Sequence, residues 1–208
     1  MLLFRNSLIN FFTSKKYYTS YYKRVINKYK YPESYLKLYH ALHTVPEELE
    51  TSVLIAFSET ISFGASLNSI KSKLKGSYRV VKELNDVYVL FTELKTVGYK
   101  FIIELHFYKQ KLVHFKYVFR NHTNKNELKY MLMKKYFNEE KIFFEVKDTC
   151  IKDVDGNYIF ILDEVNLSIN YMTYDYGFYN HIIEMKTQKE KQKTLKYNNA
   201  MDELYNRL

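Results

Sequence analysis

Residues 99–119 read "YKFIIELHFYKQKLVHFKYVF", and the pairing they allow decides the fold. Two runs rich in aromatic and β-branched residues, 99–107 and 112–119, flank a short polar turn, as the strands of a hairpin do. Laid antiparallel with Phe101 opposite Phe119, the stretch sets Ile103, Leu105 and Phe107 against Tyr117, Phe115 and Val113 on one face. Glu104 and His106 then fall against Lys116 and His114 on the other. One apolar and one polar face is the pattern of an antiparallel sheet covered on a single side.

A second hairpin over 157–162 and 167–172 can be treated the same way. Tyr158, Phe160 and Leu162 fall opposite Tyr171, Ile169 and Leu167. Upstream of the first hairpin, "SLNSIKSKLKG" places Leu67, Ile70 and Leu74 at helical spacing, with Ser66 as N-cap and Gly76 as C-cap. Upstream of the second, "TNKNELKYMLMKKYF" places Leu128, Met131, Leu132 and Tyr136 in the same way. Further strand-like runs cover 87–94 and 142–149. The order is helix and three strands, twice, which reads as a tandem supersecondary unit over 63–120 and 121–180. The expected fold is α+β: an antiparallel sheet with helices on one face, preceded by a basic helical segment (1–62) and followed by a C-terminal helix (181–208) packed on the body.

Three stretches outside this body carry weaker signals. Pro32 and Glu33 start a helix that Pro46 ends. The apolar run 53–57 fits a helix or a strand. The C-terminal stretch lacks Gly and Pro and reads as a helix with a solvated run, "KTQKEKQK", either exposed or breaking it.

The segment "FGASLNSIKSKLKGSY" followed by strands resembles the BamE/SmpA-like module, through Gly64, Ser66, Ile70, Leu74 and Gly76. In that family a glycine and a small or hydroxyl residue open a helix, a leucine–glycine pair closes it, and an antiparallel sheet follows. Tandem copies of such a unit occur in the β-lactamase-inhibitor-protein-like fold, which binds proteins across its sheet. The resemblance implies a fold and a tendency to bind proteins. It implies no catalytic residue.

Charge lies at the ends of the chain. Residues 1–32 hold seven basic residues and no acid, 33–180 hold equal numbers of each sign, and 181–208 hold six basic against four acidic. The stretch "TSKKYYTSYYKRVINKYKY" (13–31) interleaves Lys15, Lys16, Lys23, Arg24, Lys28 and Lys30 with six tyrosines. These six cations are the candidate anion contacts. The stretch reads as an amphipathic helix with a tyrosine stripe, as an arm on an anionic membrane, or as a stacking platform for single-stranded nucleic acid. Residues 1–12 are amphipathic and acid-free, which fits packing on the domain, a membrane surface or a targeting role.

Chemistry is sparsely signalled. The lone Cys150 rules out an intrachain disulfide and a cysteine zinc cluster, and fits a reducing, cytoplasmic setting. No G-x-S-x-G, P-loop or G-x-G-x-x-G is present. "KDVDGNY" reads as a hairpin turn or as the opening of a calcium loop. Glu104, His106, His114 and Lys116 form a candidate polar site on the sheet face, either solvated or able to titrate and to hold a metal. The expectation is a non-enzymatic protein-binding module that needs no cofactor or metal. Another protein is its partner. The alternative is a peripheral protein that uses the basic arm on a membrane or nucleic acid.

Overall fold

The computed structural model describes residues 25–44, 47–74, 76–96, 99–119, 124–138, 149–163 and 166–208. Helix α1 spans Glu33–His43 and follows Pro32, whose φ of −57° already suits a helix. It buries Tyr35, Leu38, Tyr39 and Leu42, the one stripe that 3–4 spacing allows. Strand β1 (Glu47–Thr51) follows, ahead of the apolar run. Helix α2 (Leu67–Lys73) starts where Ser66 Oγ accepts from Ser69 N–H. It ends at Leu74, which is already extended. Gly76 (φ +113°) therefore sits beyond the helix and does not cap it.

Strands β2 (Tyr78–Leu84), β3 (Val87–Thr96), β4 (Tyr99–Tyr108) and β5 (Lys111–Phe119) form a meander. Helix α3 (Lys125–Phe137) is capped by Asn124 and leads to a second meander: β6 (Thr149–Asp153), β7 (Asn157–Asp163) and β8 (Leu167–Thr173). Helix α4 (Tyr176–Tyr205) closes the chain without a break. Among the described residues the strands make one mixed sheet of order β1-β6-β7-β8-β5-β4-β3-β2. It is antiparallel except where β1 runs parallel to β6.

The α+β class and the antiparallel sheet match the sequence reading. Its finer details differ. The first meander has four strands, since β2 precedes the three expected ones, and β1 adds another at the far edge. Two equal three-strand units therefore do not describe the sheet. The sixth strand lies at Thr149–Asp153, where the sequence placed it over 142–149, and residues 142–148 fall outside the described residues. Residues 33–62 supply α1 and β1 to this same body.

The first hairpin pairs as expected from Phe101–Phe119 through His106–His114. Phe107 then pairs with Leu112, so Val113 is the extra residue of a β-bulge and turns to the same side as His114. Lys109 and Gln110 both have positive φ (46° and 69°), the tight turn whose twist matches a two-residue hairpin. The second hairpin is shifted by one residue from the expected register. Tyr158 pairs with Met172, and Ile159 with Tyr171. The shift is tolerated because both faces of β7 are apolar and both faces of β8 are buried, so alternation does not select one register.

Helices cover both faces, correcting the one-sided expectation. On the first face, α2 and α3 place Leu67, Ile70, Leu128 and Leu132 against Leu105, Phe115, Ile159 and Ile169. Phe115 and Tyr171 stack there at 4.5 Å, an arrangement that adds about 0.5–1.5 kcal/mol to the burial itself. On the second face, α1 and the start of α4 place Tyr35, Tyr39, Phe178 and Ile182 against Val89, Phe91, Phe160 and Met172.

Candidate docking surface

The second face carries the polar pairs read from the first hairpin, and they are not solvated. Glu104, His106, His114 and Asn170 are fully buried and Lys116 nearly so. Cross-strand pairing sets Glu104, Lys116 and Asn170 side by side on β4, β5 and β8, with His106 and His114 in the next row. Lys116 Nζ lies 3.1 Å from Glu104 Oε2, which also accepts from Tyr29 Oη at 2.5 Å. His106 Nε2 approaches the same oxygen at 3.5 Å. Tyr35 Oη lies 3.0 Å from His106 Nδ1, and His114 Nε2 lies 3.3 Å from Asn170 Oδ1.

These contacts favour one tautomer of each imidazole. Asn170 Nδ2 donates to Ser168, so its Oδ1 accepts from His114 Nε2–H. His106 Nε2 makes no hydrogen bond among the described residues, but the Glu104 carboxylate 3.5 Å away favours the proton there, which leaves Nδ1 to accept from Tyr35. Burial pushes Glu104 up, but Lys116, His106 and Tyr29 outweigh it and hold the carboxyl at about 2. Burial pushes His106 down to about 4, a fall that Glu104 only partly offsets. Burial, reinforced by the charges of His106 and Lys116, holds His114 well below the ordinary range. Both imidazoles are therefore neutral near pH 7. Among the described residues, no group of three His, Cys, Asp or Glu side chains is placed to hold a metal ion.

Tyr29 and Tyr35 come from outside the hairpin and were not read as part of this cluster. Tyr29 belongs to the basic arm. Its ring packs edge-on to His106 at 4.6 Å, under the ammonium of Lys116. The described end of the arm is thus held on the sheet. Of the candidate anion contacts, Lys15, Lys16, Lys23 and Arg24 lie outside the described residues. Lys28 is half-buried, and its carbonyl accepts from Ser34 Oγ. Lys30 faces Glu83 at 3.8 Å.

"KDVDGNY" forms the β6–β7 turn. Asp153 Oδ1 accepts from Asp155 and Asn157 N–H, while Oδ2 accepts from Ile55 N–H and Asn157 Nδ2. Both carboxylate oxygens are occupied in holding the turn and anchoring Ile55. Cys150 is buried, and burial pushes its thiol up to about 11, the opposite of a nucleophile's environment.

The exposed feature of the fold is α4. Its 30 residues make a rod about 45 Å long. Asp175 caps it by accepting from Phe178 N–H, and Phe178 and Ile182 bury its first turns on the second face. Beside those turns lies an open polar cleft of about 460 Å³, formed with the β2–β3 and β4–β5 turns, where His181 Nε2–H donates to Asn85 O at 2.8 Å. From residue 190 to 208 every position is exposed. Ile183, Thr187, Glu190, Thr194, Tyr197, Met201 and Leu204 recur in steps of four and three, which is one seam of the helix, and Leu208 continues the spacing beyond its end at Tyr205. Tyr197 is 65% exposed, Met201 46%, Leu204 50% and Leu208 98%. The sequence shows the seam, but which of its members touch the body depends on where the rod leaves the sheet.

Among the described residues no helix is long and apolar enough to cross a membrane. Comparison of the chain with protein-family models, curated proteins and solved structures gave no match.

Proposed function

We propose that this chain is a non-enzymatic protein-binding module whose docking element is the projecting half of α4. The observation that carries the reading is the apolar seam Tyr197, Met201 and Leu204 on a helix segment that no other described residue covers. Helices in proteins owe most of their stability to packing of an apolar face. This segment contains Thr194, Asn198 and Asn199, which are indifferent helix formers, and has no such packing among the described residues. A partner that lies along the seam would supply it. The BamE/SmpA-like resemblance of Gly64, Ser66, Ile70, Leu74 and Gly76 points the same way, since it implies protein binding and no catalytic residue.

The test compares the wild-type chain with Met201→Asp/Leu204→Asp as baits in extract of the source cell. Both residues are exposed, so circular dichroism and melting temperature stay unchanged. A protein retained by the wild type, lost by the variant, and binding again when purified is the expected result. Capture that is equal on the two baits rejects the reading.

A further inference from the structure

Building on that reading, we propose that the surface of α4 takes an acidic amphipathic helix of a partner protein, its apolar residues on the seam and its carboxylates on the lysines beside it. Charge complementarity carries the choice. Lys186, Lys189, Lys191, Lys193 and Lys196 crowd one stretch of the helix against the single acid Glu190. The bias of the whole chain toward lysine does not explain this, because 33–180 is balanced in charge. Lys186 is paired with Glu190 at 3.7 Å, and Lys189 lies 3.9 Å above the Tyr31 ring. Lys191 and Lys193 are exposed, flank the seam on opposite sides, and make no ion pair among the described residues. They occupy the positions that select partners by charge in paired helices.

Two other occupants fit less well. An anionic bilayer laid on the seam would meet Glu190 within it, and like charges repel. A second copy laid parallel would set Glu190 against Glu190 in the seam and Lys186 against Lys191 across it.

The experiment uses the full chain and a labelled synthetic peptide of about four heptads, with Leu at the seam positions and Glu beside them. A twin peptide carries Lys in place of Glu. Fluorescence anisotropy is expected to show saturable binding of the acidic peptide, at least about tenfold tighter than of its twin. Raised salt weakens it, and K191E/K193E and M201D/L204D each weaken it about tenfold without changing the melting temperature. Equal binding of both peptides overturns the acidic class and leaves α4 as a docking helix. Binding of neither overturns the docking reading as well. Two further outcomes reject an acidic helix. One is attachment to phosphatidylserine vesicles without peptide binding. The other is a concentration-dependent rise in mass by sedimentation that M201D/L204D abolishes.

Discussion

Leu105 and Glu104 are neighbours in one strand, and both are fully buried, one on each face of the sheet. Leu105 sits in a layer closed by apolar side chains of α2 and α3. Glu104 sits in a layer closed by tyrosines, with a lysine and two histidines around it. The first face is held by area removed from water, a term tolerant of small rearrangement. The second depends on particular atoms meeting. A buried ion pair contributes little net stability, yet its partners are costly to separate. The polar face therefore specifies where the arm and α1 sit more than it adds to their affinity for the sheet.

Removing one member of the row gives the largest expected effect. Glu104→Leu leaves the Lys116 ammonium buried without its counter-charge, and the loss should be about 3–5 kcal/mol in urea unfolding. A bare loss of this size does not separate the faces, since Leu105→Ala should cost about 2–5 kcal/mol through its cavity. The double variant Glu104→Leu/Lys116→Leu does separate them. Replacing both charges with apolar groups should recover most of the single-variant loss, whereas no second substitution of this kind rescues a cavity. A double variant as unstable as the single one would mean that the row is held by packing and not by charge.

Much of this difference was hidden from the sequence for a physical reason. Alternation in residues 99–119 shows which side chains share a face, and the first register was legible up to the bulge at Val113. Alternation does not show what lies above a face. The lid over Glu104 is made by Tyr29 and Tyr35, about 70 residues upstream, with |i−j| of 75 and 71 to their partners. A face of Glu, His and Lys looks solvated unless that lid is known. The second hairpin failed for the complementary reason: with Tyr158, Ile159, Phe160 and Ile161 all apolar, either register buries something. Strand β1, "EELET", has three glutamates and no strand-like composition, and owes its place to pairing with β6. Local chemistry was more legible. Ser66 caps α2 and Asp153 builds its turn, because those contacts lie within a few residues. In α4 the helix itself was legible, while the spacing of its seam gains meaning only once it is known how far the sheet covers the rod.

Acid should act on the second face with a smaller effect. The folded-state pKa of His106 is about 4 against an ordinary 6.5, and that of His114 is also depressed. Between those values the unfolded chain binds protons that the folded chain refuses, so stability is full above about 6.5 and falls as pH drops toward 4. Each histidine contributes a slope of up to about 1.4 kcal/mol per pH unit, or on the order of 2 kcal/mol by pH 5 for His106. Glu104, held at about 2 against an ordinary 4.5, extends the loss to still lower pH. Urea midpoints at pH 7 and pH 5 measure this, and His106→Gln should flatten the profile. The same slope in the variant would move the acid sensitivity to other groups.

Tyr35→Phe is expected to give the smallest change and tests the assigned tautomer. The hydroxyl donates to His106 Nδ1 at 3.0 Å, a neutral hydrogen bond whose loss costs about 1 kcal/mol. The depression of His106 comes first from burial, with Glu104 opposing it and Lys116 and Lys28 adding to it, and a hydroxyl donating to Nδ1 favours the neutral ring in the same direction. Removing that hydroxyl should therefore lower stability more at pH 7 than at pH 5, giving two profiles that converge in acid. If His106 instead carried its proton on Nδ1 and donated to Tyr35, Nε2 would face the Glu104 carboxylate as a bare acceptor, two lone pairs in apposition. Nitrogen-15 shifts of the His106 ring distinguish the two forms directly. An Nδ1–H signature in the wild type, or profiles that diverge in acid, would require the row to be rebuilt with a different proton between Tyr35 and Glu104.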